Sequence, residues 1–178
     1  MTEIAEWNDA ITYEKFLETA RENVELMKAR YNDFLLNEED EAELNGIQNQ
    51  INILVIGNDH CNDTAGNLPV LAKMASCSAN VEVRILDSDK HARFHQKFRV
   101  NGKRKTPVIL FLSQELNELA RWVERPNSVY QLVNEKNLSL DDRRAMLRQL
   151  YSDPEILRQS FNELMMHLIR ADLVLGRK

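Results

Sequence analysis

Residues 52–70 read NILVIGNDHCNDTAGNLPV, and the rest of the chain is read outward from them. The stretch opens on Ile53-Leu54-Val55-Ile56, an apolar, largely β-branched run closed by Gly57. That is the pattern of a strand buried on both faces. Asn58-Asp59-His60 make a short polar turn, Cys61 follows, and Leu68, Val70, Leu71 and Met74 then recur at helical spacing. Cys61 therefore stands where a buried strand hands over to a helix. Unpaired backbone N–H groups and the positive end of the helix dipole meet there, and both favour the reactive thiolate. The position equally suits an inert cysteine acting as a small buried hydrophobe. The stretch alone leaves both readings open.

The chain has 178 residues, 43% of them apolar, which suits one domain with a helical addition. No apolar run is long enough to span a membrane. The acidic opening MTEIAEWNDA does not read as a signal peptide. Two cysteines fit a reducing compartment better than a disulfide framework, so the expected location is cytoplasmic. Net charge is −5 but unevenly spread: residues 1–50 carry 4 basic and 13 acidic side chains, whereas 51–135 and 136–178 are each at +2. That acidic opening argues against nucleic-acid binding and reads as a solvated helical surface.

Before the central stretch, Tyr13, Phe16, Leu17, Ala20, Val24, Met27, Tyr31, Phe34 and Leu35 form one apolar stripe, predicting a single helix over 13–35 capped by Thr12. Asn37 caps a second, short helix that Gly46 ends. After the stretch, residues 81–86 read as a strand, 89–98 as a helix capped by Asp89, and 108–112 as a third strand. A turn at Ser113-Gln114-Glu115 leads to a fourth strand at 119–123. The next helix has Pro126 at its first position. The first two strands should be parallel and the last two antiparallel. Ser139 with Asp142 opens a further helix, and Ser152 or Asp153 caps the last one, whose stripe is Leu157, Phe161, Leu164, Met165 and Leu168. His167 is expected at the boundary of that stripe. The organisation expected is an α/β core over 51–137, with an N-terminal helical extension over 1–50 and C-terminal helices over 138–178, both packed on it.

This order of elements, with Cys61 at the first strand-to-helix junction and Thr106-Pro107 before the third strand, resembles the thioredoxin fold. More narrowly it resembles the bacterial thioredoxin-like family with a Trp-Cys-Gly-Asp signature. The matching residues are His60-Cys61-Asn62-Asp63, Asn67-Leu68-Pro69-Val70, Ile85-Leu86-Asp87-Ser88-Asp89, Asn101-Gly102, Thr106-Pro107, and Arg121-Trp122 with Arg125-Pro126. The resemblance implies a mixed four-stranded sheet flanked by helices. It also implies a cis-proline at Pro107 facing the cysteine, with Thr106 offering backbone N–H and C=O to an extended substrate. Two departures bear on activity. Cys-x-x-Cys becomes Cys61-Asn62-Asp63-Thr64, and the tryptophan before the cysteine becomes His60. Thr64 cannot resolve a mixed disulfide. Cys77 lies about 24 Å away along a continuous helix, beyond the roughly 7 Å between Cα atoms that a disulfide allows.

A lone thiol can still form mixed disulfides, with glutathione as a co-substrate supplying the second sulfur. His60 and the Lys103, Arg104, Lys105 loop are expected to favour the thiolate, Asp63 to oppose it, and Thr64 to offer its hydroxyl to sulfur. The basic loop suits glutathione carboxylates or an acidic peptide, and reads equally as a solvated surface. Asp87 and Asp89 have no His or Cys at ligand spacing, so no metal is expected. Two functions stay open. One is a single-cysteine thiol–disulfide oxidoreductase with Cys61 as nucleophile, acting on a thiol or disulfide substrate. The other is a non-catalytic thioredoxin-fold interaction module with a protein partner. The terminal helices leave room for a homodimer.

Overall fold

The computed structural model describes residues 4–135 and 137–176. Four helices precede the sheet: α1 (Ile4–Asp9), α2 (Tyr13–Thr19), α3 (Val24–Asp33) and α4 (Glu38–Asn45). The alternating core is β1 (Ile51–Gly57), α5 (Asn62–Ser76), β2 (Val81–Asp87), α6 (Ala92–His95), β3 (Val108–Leu112) and β4 (Glu118–Val123). Three helices close the chain: α7 (Asn127–Asn134), α8 (Leu140–Leu150) and α9 (Pro154–Gly176). No helix among the described residues is long and apolar enough to cross a membrane.

The sheet order is β2-β1-β3-β4, with β1 parallel to β2 and both other pairs antiparallel. The two faces follow the side-chain alternation of a strand. Ile53, Val55, Ile109 and Phe111 face one apolar cluster, built with α3, α5 and α9. Leu54, Ile56, Val108 and Leu110 face the other, built with Phe94, Phe98 and Trp7. Every residue of β1 and β3 is buried, as the unbroken apolar runs require. The outer edge of β2 is covered where Ile11 and Ile85 exchange backbone hydrogen bonds of 2.9 and 2.7 Å, leaving less ladder open to a foreign strand.

Three local expectations need correction. The stripe over 13–35 is two helices, not one. Ala20 turns extended and Asn23 takes a left-handed φ of 55°. The Asp59 carboxylate accepts the N–H groups of Arg21 and Glu22 at 2.6 and 3.1 Å, amides that a continuous helix would bond internally. The helix expected over 89–98 is only α6 and one 3-10 turn, Gln96–Phe98. Asp87, rather than Asp89, turns the chain there, accepting from the amides of Asp89 and Lys90 at 2.9 and 3.0 Å. Pro126 precedes α7 as its cap residue, and the first amide of that helix, Asn127, donates to Glu163 of α9 at 2.8 Å.

Asp59 ties the N-terminal helices to the β1–α5 turn. Asp59→Ala is expected to cost about 1–2 kcal/mol in urea denaturation. The amides of Arg21 and Glu22 should then exchange with solvent faster. Unchanged exchange at those two amides would mean that the carboxylate does not hold the break.

Candidate functional site

Cys61 occupies the cap position of α5, in extended backbone, and is half-buried. Its carbonyl accepts the first helical bond, from Ala65 N at 2.9 Å. Its Sγ donates to the carbonyl of Thr106 at 3.4 Å, and the Thr106–Pro107 peptide is cis. The thiol therefore touches the loop where the sequence places it, across 45 residues of chain. Cys61 and Cys77 are both free, and Cys77 caps the far end of α5.

The loop that presents Thr106 is braced from beneath by two residues sequence reasoning did not single out. His95 is buried, and its Nε2 lies 2.8 Å from the Lys105 carbonyl, so that nitrogen carries the proton. Burial lowers the His95 pKa, keeping the ring neutral for this role. Glu124 holds the loop at two points: its amide donates to Pro107 O at 2.8 Å, and its carboxylate pairs with Lys105 Nζ at 2.9 Å.

Asp63, in the first turn of the thiol's helix, sits in a buried polar network. Its carboxylate accepts from Arg125 Nη2 and from the Tyr151 hydroxyl, both at 2.7 Å. Asn67 Nδ2 donates to the Asp63 carbonyl at 2.8 Å and to the Tyr151 oxygen at 3.0 Å. Arg125 also pairs with Glu124 at 2.9 Å, and Tyr130 donates to Glu124 at 2.6 Å. Burial pushes the Asp63 carboxyl up to about 6, against the pull of Arg125 and Tyr151. Burial also acts on Glu124, but hydrogen bonds from Tyr130 and Lys105 and the charge of Arg125 outweigh it and hold that carboxyl below its usual range.

These contacts revise the electrostatics read from sequence. Asp63 is not an open like charge beside sulfur, because Arg125 answers it. Lys105 is not a free cation, because Glu124 takes it. Thr64 does not bond the thiol: its hydroxyl is fully buried, sits beside Gly57 and has no hydrogen-bond partner. His60 is exposed between two carboxylates, 3.6 Å from Asp59 and 3.8 Å from Asp89. Lys103 and Arg104 are exposed, and Arg104 reaches the Ser88 carbonyl at 3.4 Å. Among the described residues no group of three His, Cys, Asp or Glu gathers as a metal site.

The C-terminal helices reach the site directly. Asn62, next to Cys61, donates to the Arg144 carbonyl at 3.3 Å and accepts from Arg148 Nε at 3.2 Å. Its role had no signal in the sequence, because both partners lie more than 80 residues away.

A family model described as Thioredoxin matches residues 10–141. No curated protein matches significantly. Two solved structures share the fold. A protein of unknown function from Pseudomonas aeruginosa is 20% identical with a TM-score of 0.74, over 96% of this chain and 99% of that one. An HIV epitope scaffold is 18% identical with a TM-score of 0.73, over 94% of this chain and 98% of that one.

Proposed function

The chain belongs to the thioredoxin-like family, and from that premise we propose that it is a single-cysteine thiol–disulfide exchange protein acting through Cys61. The observation that carries this reading is the contact between Cys61 Sγ and the Thr106 carbonyl at a helix N-terminus. An extended substrate pairing with the Thr106 backbone would bring its own sulfur to the thiol. In the forward step the Cys61 proton leaves to water and the thiolate attacks a substrate disulfide, R–S–S–R′. A Cys61–S–S–R bond forms, and R′–S⁻ departs with the electron pair of the broken S–S bond. With no resolving cysteine in reach, a second thiol such as glutathione attacks the mixed disulfide, regenerates the Cys61 thiolate and carries R away as its own disulfide. Such a cycle suits a reducing compartment, consistent with a cytoplasmic protein.

The competing reading, a non-catalytic interaction module, draws on the cover over the thiol's flanks: Asp59 holds residues 21 and 22 on one side, and Asn62 holds α8 on the other. Alkylation with iodoacetamide followed by mass spectrometry separates the two. Cys61 is expected to react several-fold faster than Cys77 at neutral pH and to take up glutathione from oxidised glutathione, whereas Cys61→Ser takes up none at that site. Cys61 reacting no faster than Cys77, with no mixed disulfide, would leave the interaction module as the function.

A further inference from the structure

A cleft of about 550 Å³ has in its walls His60 and Asn62, the residues on either side of Cys61. Glu22 contributes one wall, and Asp141, Arg144 and Arg148 of α8 the other. That volume falls within the range of small-molecule sites. The lining sets two arginines against two carboxylates, Glu22 and Asp141. The Arg148 guanidinium makes no ion pair among the described residues and is aimed by its Nε bond to Asn62. Arg144 meets only Asp141, loosely at 3.7 Å, with both side chains mostly exposed. The Arg148 guanidinium thus stands one residue from the nucleophile with donors free, and Arg144 and Glu22 line the same cleft. The Lys103-Arg104-Lys105 loop does not line the cleft, so α8, outside the strands and helices of the core, supplies its positive charge.

We propose that this cleft selects small peptide-like thiols and disulfides carrying carboxylates, with Arg144 and Arg148 holding the carboxylates and Glu22 an ammonium group of the same molecule. The proposal rests on the exchange reading for its reactive step and on the cleft alone for its binding step. Guanidinium groups bind carboxylates in fork geometry. In the exchange, Cys61 sulfur bonds to one sulfur of a dicarboxylate disulfide. The other half leaves as thiolate while the retained half occupies the cleft.

Two measurements keep binding and exchange apart. The first uses S-methylglutathione, which cannot exchange, titrated by NMR into Cys61→Ser protein, with its dimethyl ester as control. Saturable shifts at Asn62, Arg144 and Arg148 are expected, weakened about tenfold in Arg144→Gln/Arg148→Gln. Arg144→Lys should keep most of the binding. The second compares mixed-disulfide formation with oxidised glutathione and with dicationic cystamine. Native protein at low salt should favour the anionic disulfide about tenfold, and Arg144→Glu/Arg148→Glu should invert that preference. S-methylglutathione binding without any exchange would uphold the cleft and remove the exchange reading. Exchange with no charge preference, together with no S-methylglutathione binding, would overturn the cleft proposal and leave the exchange reading intact.

Discussion

Gly66→Ala is expected to lower the stability of this protein by about 3 kcal/mol or more, the opposite of its usual effect in a helix. In an exposed helix the change gains about 1 kcal/mol. Here an added Cβ would lie 2.3, 2.4 and 2.6 Å from Cγ, Cδ1 and Cδ2 of Tyr151. The ring is fully buried, and its hydroxyl is tied to Asp63 and Asn67. It cannot swing aside without breaking those bonds, so the overlap must be relieved by moving α5 or the α8–α9 junction. Overpacking of this kind costs about 1–3 kcal/mol, and the anchored ring puts this site at the upper end or beyond. Thermal unfolding should show it as a fall of roughly 2–4 °C for each kcal/mol. In a Tyr151→Ala background the same substitution should cost little, because the methyl group then fills vacated space. An equal cost in both backgrounds would show that the strain comes from elsewhere. The contact joins the C-terminal helices to the helix bearing Cys61, so the glycine is a fitting point between the core and its extension.

Arg125→Met is expected to cost about 3–5 kcal/mol at pH 7, the loss typical when one partner of a buried ion pair is removed. Arg125 bonds Asp63 at 2.7 Å and Glu124 at 2.9 Å, and its removal leaves two buried carboxylates facing an apolar chain. Glu124 keeps Lys105 and Tyr130; Asp63 keeps only Tyr151 and moves further above its present value of about 6. The pH dependence follows with a definite sign. A carboxyl held above its unfolded value binds its proton more tightly in the native state, so unfolding releases a proton and stability falls as pH rises through that window. For the native protein Asp63 contributes this falling slope between about pH 4 and 6. In Arg125→Met the window extends upward, and the deficit against native protein should shrink markedly from pH 7 to pH 5, where Asp63 can protonate. Asp63→Asn should abolish that part of the profile. Urea denaturation at pH 5, 6 and 7 on the three proteins measures it. A deficit in Arg125→Met that stays constant over this range would mean that Asp63 is not the group left exposed to burial.

Much of the fold was legible in the chain. The runs Ile53–Ile56 and Val108–Leu112 could satisfy their burial only in the middle of a sheet, and they form its two central strands. The caps at Thr12 and Asn37 act as their residue types suggest, Asn37 in a full capping box with Asp40. The stripe of Leu157, Phe161, Leu164, Met165 and Leu168 is buried throughout. Cys61 at the strand-to-helix junction and Thr106-Pro107 before β3 were visible as motifs. Their meeting at 3.4 Å follows from β3 pairing beside β1.

What the chain did not disclose lies almost wholly in charge partners. Residue order shows that Asp63 sits two places from Cys61 and that Lys105 precedes Thr106. It does not show that Arg125, 62 residues on, faces the first, or that Glu124 faces the second. The same limit hid the helix break at 20–23, where the apolar stripe runs through unbroken and only Asp59 diverts the amides. It also hid Asn62 and the arginines of α8. The physical reason is that periodicity reports burial, a property each element carries in its own sequence. A pair of opposite charges is an encounter between two segments, and only the packed structure determines which segments meet.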